Sequence, residues 1–130
     1  MTTTLGMPVH TALTFDQALV RVPEALKAEG FGILTEVDVA ATLKTKLDVD
    51  FRRYRILGAC NPTLAHRALT TNLGAGTMMP CSVAVYEADD GNATVVAIDP
   101  SQTAAAGSPE LVAIMGEVKE RLGRVIAALS

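Results

Sequence analysis

Apolar side chains near the C-terminus recur at alternating spacings of four and three residues. The positions of this stripe are Leu111, Met115, Val118, Leu122, Val125 and Leu129. An α-helix that buries one face has this period, because it turns once every 3.6 residues. Ser108 suits the N-cap and Pro109 the first helical position. The pattern therefore predicts a core-facing helix over residues 109–129.

A second amphipathic helix is predicted over residues 15–29. The apolar positions on its buried face are Phe15, Leu19, Val22 and Leu26. Thr14 and Gln17 have the spacing of a capping box, and Gly30 supplies a C-terminal stop. Pro23 lies inside the helix, where it removes a hydrogen bond, so we expect a kink there.

Five segments have the composition of β-strands. They are residues 8–13, 31–37, 53–59, 81–87 and 93–99. The last two flank Asp90-Gly91, a dipeptide that favours a hairpin turn, so we expect them to pair.

Two shorter helices are predicted between strands. One is capped by Asp38 and continues through Leu47, and the other opens at Asn61-Pro62 and continues to about Leu73. The loop over residues 100–107 contains three consecutive alanines and no chemistry that we recognise.

Composition indicates one globular domain over residues 1–130. Apolar residues make up 49% and charged residues 19% of the chain, which is typical of a folded protein. The net charge of −3 argues against nucleic acid as a partner. Residues 1–20 lack the basic start of a signal peptide, and no run is apolar enough to span a membrane. We therefore expect a cytoplasmic protein.

Arginines 52, 53 and 55 form the only basic cluster of the sequence. Asp48 and Asp50 lie nearby and are expected to offset their charge. The cluster is interpreted as a solvated strand edge. The alternative is an anion-binding enzyme that uses these arginines together with Asn61.

The only two cysteines of the chain lie at predicted element ends. Cys60 directly precedes the helix that Asn61 opens, where backbone amides stabilise a thiolate. Cys81 begins a strand directly after Met78, Met79 and a proline. A disulfide between the cysteines would need Cα atoms within about 7 Å.

Three interpretations of the cysteines remain open. A thiol pair would use Cys60 as nucleophile and Cys81 as resolving partner. A soft-metal site would use both thiols with Met79, and with Met78 or His66 as further candidates; copper(I) suits such ligands. In the third interpretation both thiols are small buried residues. His66 itself is expected to face solvent, and His10 is expected to be inert.

Residues 30–99 resemble a known family. The run GACNP at residues 58–62 and the strand start MMPCSV at 78–83 are similar to the motifs of the domain-of-unknown-function family numbered 302. Met79 and Ser82 replace the usual Leu and Asn, and Arg53 stands where Pro is common. The Met79 exchange adds a thioether beside Cys81 and is compatible with either a metal or a packing role.

The resemblance implies a two-layer α+β fold in the order strand, helix, four strands, helix. The sheet is expected to be mainly antiparallel, with the two shorter helices inserted between strands. Members of this kind tend to form homodimers that cover the second face of the sheet. The family itself has no assigned biochemical role.

Two functions follow from these observations. The first is a domain that binds a small ligand or soft metal, or carries out thiol chemistry, through Cys60 and Cys81, with Asn61 and Arg55 as further ligand-binding candidates. The second is a non-catalytic homodimeric module, structural or regulatory, whose cysteines are only packed. No GxSxG, HExxH or phosphate-loop motif occurs, so the sequence assigns no reaction class.

Overall fold

The computed structural model describes residues 4–102 and 108–130. Within these ranges, the strands are β1 (Met7–Thr14), β2 (Gly32–Asp38), β3 (Tyr54–Cys60), β4 (Cys81–Glu87) and β5 (Asn92–Ala97). The α-helices are α1 (Phe15–Ala28), α2 (Val39–Leu47), α3 (Pro62–Thr71) and α4 (Pro109–Leu129). Two 3₁₀ helices cover Leu73–Met78 and Pro100–Gln102. The alanines of the predicted loop, within residues 103–107, lie outside the described residues.

The five strands form one antiparallel sheet in the spatial order β1-β5-β4-β3-β2. Together with the helices it makes an α+β fold, which confirms the predicted class and element order. β4 and β5 form the predicted hairpin, with Val85 opposite Val95. Of the described helices, none is both long and apolar enough to cross a membrane.

One face of the sheet carries the hydrophobic core. Along β4 and β5 every second side chain is fully buried, as the two-residue period of a strand requires. These residues are Val83, Val85, Ala93, Val95 and Ala97. The stripe of α4 and the apolar face of α1 pack against them, and Leu122 and Leu26 are also fully buried.

The helices begin at the capping residues that the sequence predicted. The Thr14 hydroxyl accepts a hydrogen bond from Gln17 N at 3.2 Å, and Gln17 Oε1 accepts one from Thr14 N at 3.0 Å. Ser108 caps α4, and Asp38 caps α2. These contacts satisfy amide groups that have no partner within their helices.

One segment differs from the sequence prediction. α3 ends at Thr71, and the predicted loop around Gly74 is a 3₁₀ helix that Asn72 caps. α2 forms as predicted, but none of its residues is buried. A nine-residue helix is marginal by itself in water, because helix nucleation is unfavourable and short helices gain little from propagation.

Gly58 of the GACNP run lies where two neighbours crowd the strand. A Cβ atom at this position would lie 2.1 Å from Thr35 Oγ1 and 2.7 Å from Pro80 Cγ. β2 is irregular at the same level, since its register with β3 shifts between Ile33 and Thr35. Glycine is therefore the residue that allows β3 to pack beside both groups.

Candidate functional site

The junction between β3 and α3 is held by the side chain of Asn61. Its Oδ1 accepts a hydrogen bond from Leu64 N at 3.2 Å, and its Nδ2 donates to the Glu29 carbonyl at 3.4 Å. Arg121 Nη1 donates to the same carbonyl at 3.2 Å. Asn61 is 8% exposed. The hydrogen bonds of its side chain therefore connect the start of α3 to the end of α1.

A small cavity of about 30 Å³ lies beside this junction. Five of the ten residues that line it carry sulfur, namely Cys60, Cys81, Met78, Met79 and Met115. The whole sequence contains only two cysteines and five methionines. Sulfur is therefore concentrated at one place in the fold.

Three structural elements bring these sulfur atoms together. Met78 ends the 3₁₀ helix, and the cis Met79–Pro80 peptide leads directly into Cys81 at the start of β4. Met115 comes from α4, far along the chain. The sequence pattern assigned Met115 only to the core stripe, and no local signal connected it to the cysteines.

The predicted cysteine pair is wrong. Both thiols are free, and they are not brought close to each other as a pair. The strand register gives the reason: Cys81 lies opposite Ala59 and not opposite Cys60, so the two thiols are not cross-strand partners. Within the described residues, no group of three or more His, Cys, Asp or Glu is arranged to hold a metal.

Cys81 lies in an apolar environment. Burial, and to a smaller extent the electrostatic effect of Cys60, raise the pKa of Cys81 from about 9 to about 11. Its side chain packs against the hydrophobic core together with Met78, Met79 and Met115. At neutral pH Cys81 is therefore a neutral thiol, which does not suit the role of a redox partner.

The three arginines have carboxylate partners, but different ones from those predicted. Arg52 pairs with Asp89, and Arg53 pairs with Asp16 while its guanidinium lies 4.4 Å from the centre of the Phe15 ring. Asp48 and Asp50, the predicted partners, both contact Lys44.

Arg55 lies between the carboxylates of Glu36 and Asp38, at 2.6 and 3.3 Å. The hydrogen bond to Glu36 is the main cause that raises the pKa of Arg55. Arg55 is near the start of β3, whereas Asn61 follows its end, so the structure does not place them in one site. Ligand binding by either residue stays a prediction.

Neither histidine lines the sulfur cavity. His66 borders a groove between α3 and α4 with Arg67 and Glu110. His10, predicted to be inert, bridges two side chains: its Nδ1 lies 2.9 Å from Thr94 Oγ1 and its Nε2 lies 2.7 Å from Asp90 Oδ2. These contacts connect edge strand β1 to the β4–β5 turn, a link that no local pattern indicated.

The second face of the sheet carries an apolar row that crosses all five strands. Cross-strand register places its members side by side in the order Pro8, Val96, Ala84, Ile56 and Val37. We call the surface formed by these residues the outer sheet face. Beside the row, the rings of Tyr54 and Tyr86 stack at 5.4 Å with an angle of 7° between their planes.

The outer sheet face is concave and only partly shielded. A groove of about 460 Å³ lies over Tyr54, Ala84 and Val96. Val37 is 45% exposed, and Leu47, Val49 and Phe51 extend the apolar surface at the end of α2 with similar or greater exposure. Among the described residues, the apolar row is therefore exposed at its two ends, Pro8 and Val37, and half-buried between them.

Comparison with known proteins shows the family. The sequence pattern of DUF302, a domain of unknown function, matches residues 7–129. The chain belongs to the DUF302 family. The match extends beyond residues 30–99, where the resemblance was first noted, and includes α1 and α4.

A solved DUF302 structure has the same fold. The chain is similar to a crystal structure of an uncharacterized conserved DUF302 protein from Bacillus stearothermophilus, with a TM-score of 0.89 and 28% sequence identity. The similarity covers 98% of this chain and 100% of the other. No protein with curated annotation matches the chain.

Proposed function

We propose that this DUF302 protein is a non-catalytic binding module that works as a homodimer, with the outer sheet face of each protomer packed against that of the other. The observation that carries the proposal is the apolar row of Pro8, Val96, Ala84, Ile56 and Val37 across all five strands. A cytoplasmic location remains an expectation from the sequence.

The alternation of side chains supports this assembly. A sheet that serves as the solvated outer layer of a domain has polar residues on its second face. Here the row is apolar on every strand, and a contiguous apolar patch of this kind is typical of an interaction surface. Two sheets can pack face to face at about 10 Å with their side chains interdigitated.

A second copy suits the surface better than a small ligand alone. An isologous dimer brings the same patch together twice about a two-fold axis, so each apolar row meets an apolar row. Tyr54 and Tyr86 add rigid aromatic area of the kind that is enriched in interfaces.

Helix α2 gives an independent reason for a partner. Its residues are all at least partly exposed, and Leu47, Val49 and Phe51 at its C-terminal side are among the exposed apolar side chains. The ring of Phe51 lies 6.2 Å from that of Tyr54, so this region is continuous with the outer sheet face. Contact with a partner would bury the apolar side of a helix that has little support within one protomer.

Light scattering of the purified protein tests the proposal. We expect a mass of two 13.6 kDa chains at micromolar concentration. Val96→Lys places a charge within the row and is expected to give monomers, because an ammonium group buried between two sheets loses its hydration.

The matched control is Val112→Lys, at a position on α4 that is 54% exposed. This variant is expected to remain dimeric. A monomeric wild-type protein would overturn the proposal, and so would dimers of Val96→Lys as stable as those of the wild type. Circular dichroism of Val96→Lys shows whether the variant is folded.

A further inference from the structure

We propose that the sulfur-lined cavity binds a single soft monovalent metal ion, Cu(I), through the Cys81 thiolate and the thioethers of Met78, Met79 and Met115. The cavity lies against the helix-covered face of the sheet. It is therefore separate from the outer sheet face, and the metal site does not depend on dimer formation.

The volume of the cavity limits the size of the ligand that it can bind. Pockets for organic ligands have volumes of roughly 300–1,000 Å³. This cavity, at about 30 Å³, is about ten times smaller. It therefore suits an ion better than a metabolite.

The chemical character of the lining residues determines which ion the cavity can bind. Half of the lining residues carry sulfur, and most of the others are apolar, including Ala59, Leu64 and Ala65. Apolar walls offer no hydrogen-bond partners to water, whereas thiolate and thioether sulfur are the ligands that select Cu(I). Mg²⁺ and Ca²⁺ require oxygen ligands, so this wall composition disfavours them.

The packing of the side chains identifies the ligands. Cys81, Met78, Met79 and Met115 all line the cavity and all pack against the same core cluster. Cys60 borders the cavity from the end of β3 but is not part of that packing, and it is not paired with Cys81. We therefore assign the thiolate ligand to Cys81 alone.

Binding replaces the Sγ–H bond of Cys81 with a Cu–S bond and releases one proton to solvent. The copper remains Cu(I), so no oxidant or reductant takes part. The released proton gives the binding step its own signature, because a packing cavity would release none.

Competition with a coloured Cu(I) chelator under anaerobic conditions tests this site. We expect the reduced protein to withdraw one Cu(I) per chain, and a parallel titration to show no comparable uptake of Zn²⁺. X-ray absorption of the loaded protein is expected to show sulfur neighbours only.

Volume-conserving variants separate a metal site from a cluster of packed side chains. Met79→Leu with Met115→Leu, and separately Cys81→Ser, are expected to weaken Cu(I) binding at least tenfold. Met7→Leu is the matched control, because Met7 also packs against the core but lies outside the cavity. Cys60→Ser is the control thiol and is expected to retain binding.

Failure of the wild-type protein to withdraw Cu(I) would overturn the assignment. Equal affinities of the wild type and the double methionine variant would overturn it as well, and so would loss of binding in Cys60→Ser with retention in Cys81→Ser. None of these results bears on the dimer, whose test requires no metal.

Discussion

At the scale of residues, the two cysteines of this DUF302 protein show how a shift of one residue in strand register separates two thiols. Cys81 and Ala59 are opposite each other in the β3–β4 ladder, so Cys60 is not the cross-strand partner of Cys81. Cys81 therefore packs with the core methionines, and burial raises its pKa to about 11. The folded structure therefore keeps the Cys81 thiol protonated at neutral pH.

The raised pKa predicts a loss of stability at alkaline pH. Because the folded state holds the proton more tightly than the unfolded state, the stabilisation from Cys81 is present below about pH 9 and is lost as the pH rises through about 11. The loss amounts to about 2 kcal/mol relative to a chain without this thiol.

Urea unfolding of the reduced wild type and of Cys81→Ala, between pH 8 and 11, measures this effect. The difference in unfolding free energy between the two proteins should change with pH, whereas Cys60→Ala should retain most of the wild-type pH dependence, because burial is the larger cause of the raised pKa of Cys81. Parallel curves for the wild type and Cys81→Ala would contradict the prediction.

At the scale of elements, the GACNP run works as a joint between β3 and α3. Asn61 caps α3 and also donates to the Glu29 carbonyl at the end of α1, to which Arg121 donates as well. Gly58 lets the strand pass close to Thr35 and Pro80. The run therefore has a structural explanation that is independent of any reaction of Cys60.

Asn61→Ala is predicted to destabilise the protein by about 2 kcal/mol, because it removes a helix cap and leaves buried backbone groups less well paired. Ser108→Ala on α4 is the control. It removes a more weakly bonded cap, with a distance of 3.4 Å from Leu111 N to the hydroxyl, and should cost about 1 kcal/mol or less.

Thermal or urea unfolding of both variants gives the comparison. A cost for Asn61→Ala that is no larger than that for Ser108→Ala would show that the contact with Glu29 contributes nothing to stability.

At the scale of the whole molecule, one sheet separates two surfaces of different character. The helix-covered face holds the core and the sulfur cavity, while the outer sheet face presents the apolar row and the two stacked tyrosines. Dimer formation through the outer sheet face would make stability depend on protein concentration, because only folded protomers associate.

The midpoint of thermal unfolding, Tm, should therefore rise with protein concentration. A tenfold increase contributes about 1.4 kcal/mol per dimer, and we expect a rise on the order of 4 °C. Scanning calorimetry over two decades of concentration measures the rise. Val96→Lys should unfold at a Tm that is independent of concentration, and a wild-type Tm that does not change would contradict the prediction.

The sequence by itself determined the elements of this protein. Helical and strand periods, the Thr14, Asp38, Asn61 and Ser108 caps, and the Asp90-Gly91 turn are local features, and the structure has each of them near its predicted position. The motif around GACNP also identified the family, and with it the α+β class.

The tertiary structure decided which residues meet. Strand register separated Cys60 from Cys81, and the path of α4 added Met115 to the sulfur cavity. The fold also pairs Arg52 with Asp89 and Arg53 with Asp16, in place of the expected Asp48 and Asp50. Periodicity reports which face a side chain occupies within its own element, but contacts between distant segments depend on how the strands pair and how the helices cross them.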